Sequence, residues 1–160
     1  MRRASILWLF SLMLLSAGAP AAGAECGADT QVKLMHPSDL PTAARFGFQL
    51  HPLLNSNRWH SGLDYVGPQG SPVHAGAPGV VELAKYDGQY GNKVVIRHGP
   101  HFSTTYGHLQ RVTVVVGACV EAGDVVGLLG STGFVAGPQL HFEVLVGGEF
   151  VDPVVHLPRR

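Results

Sequence analysis

The chain has 160 residues, no formal net charge, 21 glycines and 11 prolines. That length suits one domain, and the neutral balance lacks the basic surface that phosphate backbones require, so nucleic acid is excluded as a partner. The glycine and proline content suits many tight turns rather than long helices.

The first 24 residues read as a cleavable leader. Arg2 and Arg3 form a positive start, Ile6 to Leu15 an apolar stretch, and Ala22-Gly23-Ala24 the small residues of a signal-peptidase site. The apolar stretch is too short for a good membrane span, so no span is expected after cleavage. Glu25 before Cys26 does not fit a lipidation site, where a small residue belongs. The leader takes two of the eleven Lys and Arg and none of the eleven Asp and Glu, which leaves the mature chain slightly acidic. An exported protein, periplasmic or extracellular, is therefore expected. It meets an oxidising environment, where Cys26 and Cys119 are expected to form a disulfide; two unpaired thiols are the alternative.

Residues 25–45 are polar, carry Pro37 and Pro41, and read as a lead-in that drapes over the domain. Phe46 to Trp59 contains Pro52, Asn55 and Asn57 and reads as a loop between short extended pieces. Strands are expected at Val73 to Leu83, Lys93 to His98, Ser103 to Leu109, Val112 to Val116, Val125 to Leu129 and Leu140 to Val146. No window carries a sustained helical stripe. Short apolar runs broken by glycine predict an all-β protein, sandwich or barrel. Two pieces, Gly70 to Val81 and Val116 to Gly127, share a pattern of glycine turn, short strand, glycine turn and strand, which predicts a folded-over sheet sandwich with internal pseudo-repetition.

Two stretches carry chemistry. Gly137-Pro138-Gln139-Leu140-His141-Phe142-Glu143-Val144 alternates from Gln139 onward. Leu140, Phe142 and Val144 would face a core, and Gln139, His141 and Glu143 the opposite side. Upstream lies His60-Ser61-Gly62-Leu63-Asp64. In a straight strand, residues four apart are about 13 Å from each other. Zinc–ligand bonds are only about 2 Å long, so His60 and Asp64 can share one ion only if the chain bends, and Gly62 is the residue that would permit it. The best-placed third ligand is His141. Two histidines and one carboxylate leave a coordination position open, which is the pattern of a catalytic rather than a structural zinc; water there becomes acidic enough to act as a nucleophile near neutral pH.

Residues 46–157 resemble the lysostaphin/LytM-type zinc metallopeptidases, which cut peptide cross-links in bacterial cell walls. The resemblance rests on Phe46-Gly47 with His51-Pro52, His60-Ser-Gly-Leu-Asp64, Gly70-Ser-Pro-Val73, Tyr90-Gly-Asn92, Tyr106-Gly-His108-Leu109, Gly130-Ser-Thr-Gly133 and Gly137-Pro-Gln-Leu-His141-Phe-Glu143, in that order. It implies an antiparallel folded-over sheet around a narrow groove, of the duplicated hybrid motif type. It implies Zn2+ held by His60, Asp64 and His141, with His108 as a catalytic histidine beside the metal. It also implies peptidoglycan as substrate and a domain that works as a monomer.

The chain departs from the family where Gln139 stands in place of a catalytic histidine. An amide can donate a hydrogen bond to an oxyanion but cannot take up a proton. Gln49 is a smaller departure, at a position where the family often has Arg. Two readings follow: an exported zinc endopeptidase acting on stem or bridge peptides, or a weakened zinc-binding module that binds the wall or activates another wall hydrolase. A structural zinc domain is a third, which the open coordination position disfavours. His36, His51, His74, His98, His101 and His156 carry no motif role, though the resemblance puts His51 near the groove mouth. Tyr106 either lines the groove with His108 or is a strand aromatic. Glu143 either orients a ligand or faces solvent.

Overall fold

The structure, a computed structural model, describes residues 26, 32–51 and 54–160. The expected leader at residues 1–24 lies outside them, as does the side chain of His51. Among the described residues the regular elements are strands and two short 3-10 turns, and no helix is long and apolar enough to cross a membrane.

The strands are β1 (Thr42–Ala44), β2 (Gly47–His51), β3 (Ser56–His60), β4 (Leu63–Val66), β5 (Pro72–His74), β6 (Gly79–Tyr86), β7 (Asn92–Gly99), β8 (Phe102–Leu109), β9 (Arg111–Val112), β10 (Cys119–Val120), β11 (Val125–Leu128), β12 (Gln139–Val146) and β13 (Glu149–Val151). The main sheet runs β1-β4-β12-β8-β7-β6-β10, with β13 also paired to β12. A second sheet runs β5-β11-β9, and β2–β3 is a separate hairpin. Every described pairing is antiparallel. The all-β, folded-over antiparallel architecture is the one the sequence predicts.

The two similar glycine-rich pieces turn out to be partners. In the first, β5 pairs with β11 of the second, and β6 pairs with β10. The repetition in sequence is therefore a reciprocal pairing in space.

Strand β12 is the centre of the main sheet. Leu140, Phe142 and Val144 are fully buried, and Phe142 packs on Tyr106 with ring centroids 5.4 Å apart. Burying one side chain of this kind contributes about 1.5–3 kcal/mol.

Some expected boundaries move. Val73 to Leu83 is two strands, because Pro78 has no N–H for a ladder and the chain turns there. Beyond Val112 the expected strand stops: Ala118 N–H donates to Val115 O, and Gly117 has φ 86°. The piece read as a loop from Phe46 to Trp59 is the β2–β3 hairpin, with Asn55 at φ 47°, a conformation asparagine tolerates in turns. The lead-in contributes β1, which pairs with β4. Leu34 of the same segment is buried in the core, and Met35 N–H donates to Gly76 O. A Cys26–Cys119 disulfide ties this segment to β10.

Candidate metal centre

His60 ends the hairpin, and Asp64 lies on the next strand, β4, in the main sheet. The chain changes sheet between them, which removes the separation a straight strand would impose. In β12, His141 lies opposite Asp64 in register. His60 Nε2, Asp64 Oδ1 and His141 Nδ1 meet as a triangle with edges of 3.1 Å, 3.1 Å and 2.7 Å. These three are a group of side chains able to hold a metal ion. A tetrahedral ion with bonds of about 2.0–2.1 Å separates its donors by about 3.3 Å, so a small expansion of the triangle admits one.

The tautomers agree with that use. His60 Nδ1 lies 2.8 Å from Arg45 O, a pure acceptor, so Nδ1 carries a proton and Nε2 keeps its lone pair. His141 Nε2 lies 3.1 Å from Glu143 Oε1, so Nε2 is the donor there and Nδ1 turns to the triangle. Burial alone would lower the His141 pKa, but hydrogen bonds to Asp64 and Glu143 outweigh it and hold the ring at about 9. Burial would raise Asp64, yet the hydrogen bond from His141 and the closeness of the His60 ring take its carboxyl well below the usual range.

Glu143 is fully buried and does not face water. Its Oε1 accepts from His141 Nε2, from Ser61 Oγ at 2.5 Å and from Tyr90 OH at 2.7 Å. It orients His141, the first of the two roles the sequence left open. Burial of the Tyr90 hydroxyl, together with the Glu143 charge, raises its pKa well above the ordinary value, so it remains a donor.

Gln139 Nε2 donates to Asp64 Oδ2 at 2.8 Å. The carboxylate accepts only, which fixes the amide orientation. Gln139 thus steadies Asp64 with Oδ1 turned into the triangle.

His108 reaches the groove by a backbone irregularity. Phe142 pairs with Tyr106 on the core face, and His141 pairs with Gly107 on the groove face. Alternation would put His108 back on the core side. Its φ of 62° redirects it, and non-glycine residues in that region cost about 1–2 kcal/mol. The His108 ring then lies 5.9 Å from the His141 ring, centroid to centroid. Its Nδ1 donates to Thr132 O at 2.8 Å, which leaves Nε2 bare. Thr132 is itself held: its hydroxyl donates to Leu109 O and accepts from Asn92 N–H. Burial lowers the His108 pKa, with the Thr132 bond offsetting part of this, so the ring is neutral at pH 7. Tyr106 does not share the groove. It is fully buried, and its hydroxyl accepts from Gly76 N–H at 2.8 Å.

The chain bends at Gly62 as expected, and the site also leaves no room for a side chain there. A Cβ there would stand 2.4 Å from Phe142 O and 3.0 Å from His141 Cε1. The groove above the cluster has a volume of about 1020 Å³ and is walled by Arg58, Trp59, Tyr90, Phe134 and Ala136 among others. Ser61, Tyr90 and Thr132 all lie in stretches the sequence singled out, but their roles were not readable there. The remaining histidines are bound elsewhere: His36 bridges Tyr65 and Pro158, His74 donates to Gly123 O, and His98 bridges Pro78 and Thr104. His156 packs on Phe102.

Fold and site define an antiparallel β domain with a His-Asp-His group able to hold a metal ion, set in an open groove. The profile of Peptidase family M23 matches residues 58–153. The DD-carboxypeptidase/endopeptidase Mpg of Neisseria meningitidis is 46% identical over 114 residues, covering 71% of this chain and 26% of that protein. The peptidoglycan DD-endopeptidase ShyC of Vibrio cholerae is 46% identical over 112 residues, covering 69% of this chain and 26% of that protein. Among solved structures, a zinc-containing peptidase from Vibrio cholerae superposes with a TM-score of 0.67 at 34% identity, covering 76% of this chain and 39% of that one. The catalytic domain of lysostaphin from Staphylococcus simulans gives a TM-score of 0.67 at 28% identity, covering 73% of this chain and 91% of that one. The chain belongs to Peptidase family M23. It spans about a quarter of the length of these curated relatives.

Proposed function

We propose that this chain is an exported zinc endopeptidase that hydrolyses peptide cross-links or stem peptides of peptidoglycan. The observation that carries the reading is the convergence of His60 Nε2, Asp64 Oδ1 and His141 Nδ1 on one point beneath an open groove. The Vibrio cholerae relative named as a peptidoglycan DD-endopeptidase supplies the substrate class.

In this reading His60, Asp64 and His141 hold the zinc. When bound, zinc supplies Lewis-acid polarisation of the scissile carbonyl and an acidic water. The Glu143 carboxylate keeps His141 in the tautomer that presents Nδ1. Gln139 holds Asp64 in place and donates rather than accepts. Among the described residues His108 is then the one groove histidine with a bare nitrogen, and we assign to Nε2 the proton uptake and return that hydrolysis needs. Its lowered pKa suits a base at neutral pH. Trp59, Phe134 and Ala136 in the walls offer apolar surface to the peptide.

A second reading rests on Gln139. With its amide committed to Asp64 instead of accepting a proton, the centre is suited equally to a weakened module that binds the wall or activates another hydrolase. Release of soluble fragments from purified peptidoglycan separates the two. The endopeptidase reading expects release that a chelator abolishes, zinc restores and His108→Ala mostly removes. Release indifferent to the chelator and to His108→Ala contradicts it. Silence on every wall type, with activation of a separate hydrolase, selects the module.

A further inference from the structure

Arg58 is a charged side chain of the groove that the proposed mechanism leaves unused. It lies on β3 two residues before His60, so both project from the same face of the hairpin. It lines the same groove as His60, Asp64, His108 and His141. Among the described residues no carboxylate pairs with it: the Lys and Arg ion pairs are Lys93–Asp87 and Arg97–Glu82, both elsewhere. Asp64, the acidic residue lining the groove, is committed to His60, His141 and Gln139. Gln49, opposite Arg58 in register, is neutral, and its Nε2 is tied to Arg45 O at 3.1 Å. The groove therefore carries one uncommitted guanidinium in walls that are otherwise largely apolar.

We infer that Arg58 is a specificity residue that seats a free carboxylate of the peptide, close to the bond cut at the His60–Asp64–His141 centre. A guanidinium is a planar fork that holds a carboxylate through two parallel hydrogen bonds, which fixes direction as well as position. Arg58 and His60 have Cα atoms about 7 Å apart along an extended strand. The carboxylate therefore belongs to a residue within about two positions of the scissile bond, at 3.3 Å or so per extended residue. The substrate class is an acidic peptide, and the same peptide with that carboxylate carried as a carboxamide is a poor one. Arg58 touches substrate away from the reacting atoms, so its contribution is the same in ground and transition states and is read in KM.

This inference rests on the endopeptidase reading, and the test keeps the two apart. Two synthetic cross-linked stem peptides, identical except that one carries the carboxylate and the other the carboxamide, are given to the zinc-loaded chain and to Arg58→Met and Arg58→Lys. The wild type should show a KM about ten- to a hundredfold lower for the acid, the range of a charge-assisted hydrogen-bonded pair. Arg58→Met should raise the acid's KM to that of the amide, with kcat, the amide's KM and zinc content unchanged; Arg58→Lys should recover part of the preference. A wild type that treats both peptides alike overturns the inference. So does Arg58→Met weakening both equally, which would make Arg58 structural. If neither peptide is cleaved, the endopeptidase reading fails, and equilibrium binding of the same two peptides decides: a carboxylate preference lost in Arg58→Met upholds the inference, and equal binding ends it.

Discussion

Gly62→Ala tests how tightly the hairpin and β12 are fitted together around the metal centre. An added Cβ would lie 2.4 Å from Phe142 O and 3.0 Å from His141 Cε1. Ordinary contact begins near 3.4 Å, so the carbonyl must retreat by about 1 Å. Phe142 cannot give easily, because its ring is fully buried against Tyr106 and its strand is paired on both sides. The 61–63 segment must move instead, and it lies between His60 and Asp64. Overpacking of this kind costs about 1–3 kcal/mol, which for a domain of this size lowers Tm by roughly 2–10 °C. The same shift spreads the triangle of His60, Asp64 and His141, so zinc affinity should fall at least tenfold. Thermal unfolding of the metal-free protein and a competition titration with a zinc chelator read the two effects separately. A variant with the wild-type Tm and zinc affinity would refute the close fit.

Gln139→His puts a proton acceptor two residues from His141; fragment release should rise about 10²-fold, the low end of general acid–base effects, and no rise at all would favour the module reading. Glu143→Gln keeps an acceptor for Ser61, Tyr90 and His141 but removes the charge, so zinc affinity should fall about 10–100-fold, with His141→Ala serving as the limiting case. Because burial lowers the His108 pKa below the ordinary 6.5, the acid limb of kcat/KM should have its midpoint below that value, and a midpoint above 6.5 would count against His108 as the base. The native state also takes up fewer protons at His108 than the unfolded chain does just below 6.5, so stability should fall as pH drops through that window and less so in His108→Ala.

The fold was largely legible because its signal is local. Alternation in Leu140-His141-Phe142-Glu143-Val144 reports which side chains share a face, though Glu143 and His141 prove buried too, and glycine turns report where strands end. The grouping of His60, Asp64 and His141 followed from the family resemblance, with His141 already a candidate on the polar face of its strand, and the structure brings the three together. What stayed hidden was set by long-range geometry. Parity places His108 beside Tyr106, and only the left-handed backbone at φ 62° sends the two to opposite sides. Gln139 has the right parity for the groove, but its bond to Asp64 Oδ2 depends on β12 lying beside β4. Glu143 could not be told from a solvated strand residue until Ser61 and Tyr90 were found closing over it. The hairpin was hidden because Pro52 and two asparagines mark a turn without revealing how far the flanking strands pair.

The most direct test of the account is a zinc titration of the metal-free chain and of His141→Ala by calorimetry, with elemental analysis of the loaded proteins. One tightly bound zinc per wild-type chain, and no tight zinc in His141→Ala, is the result the account predicts. Zinc held undiminished by His141→Ala, or a wild type that binds none, would contradict it.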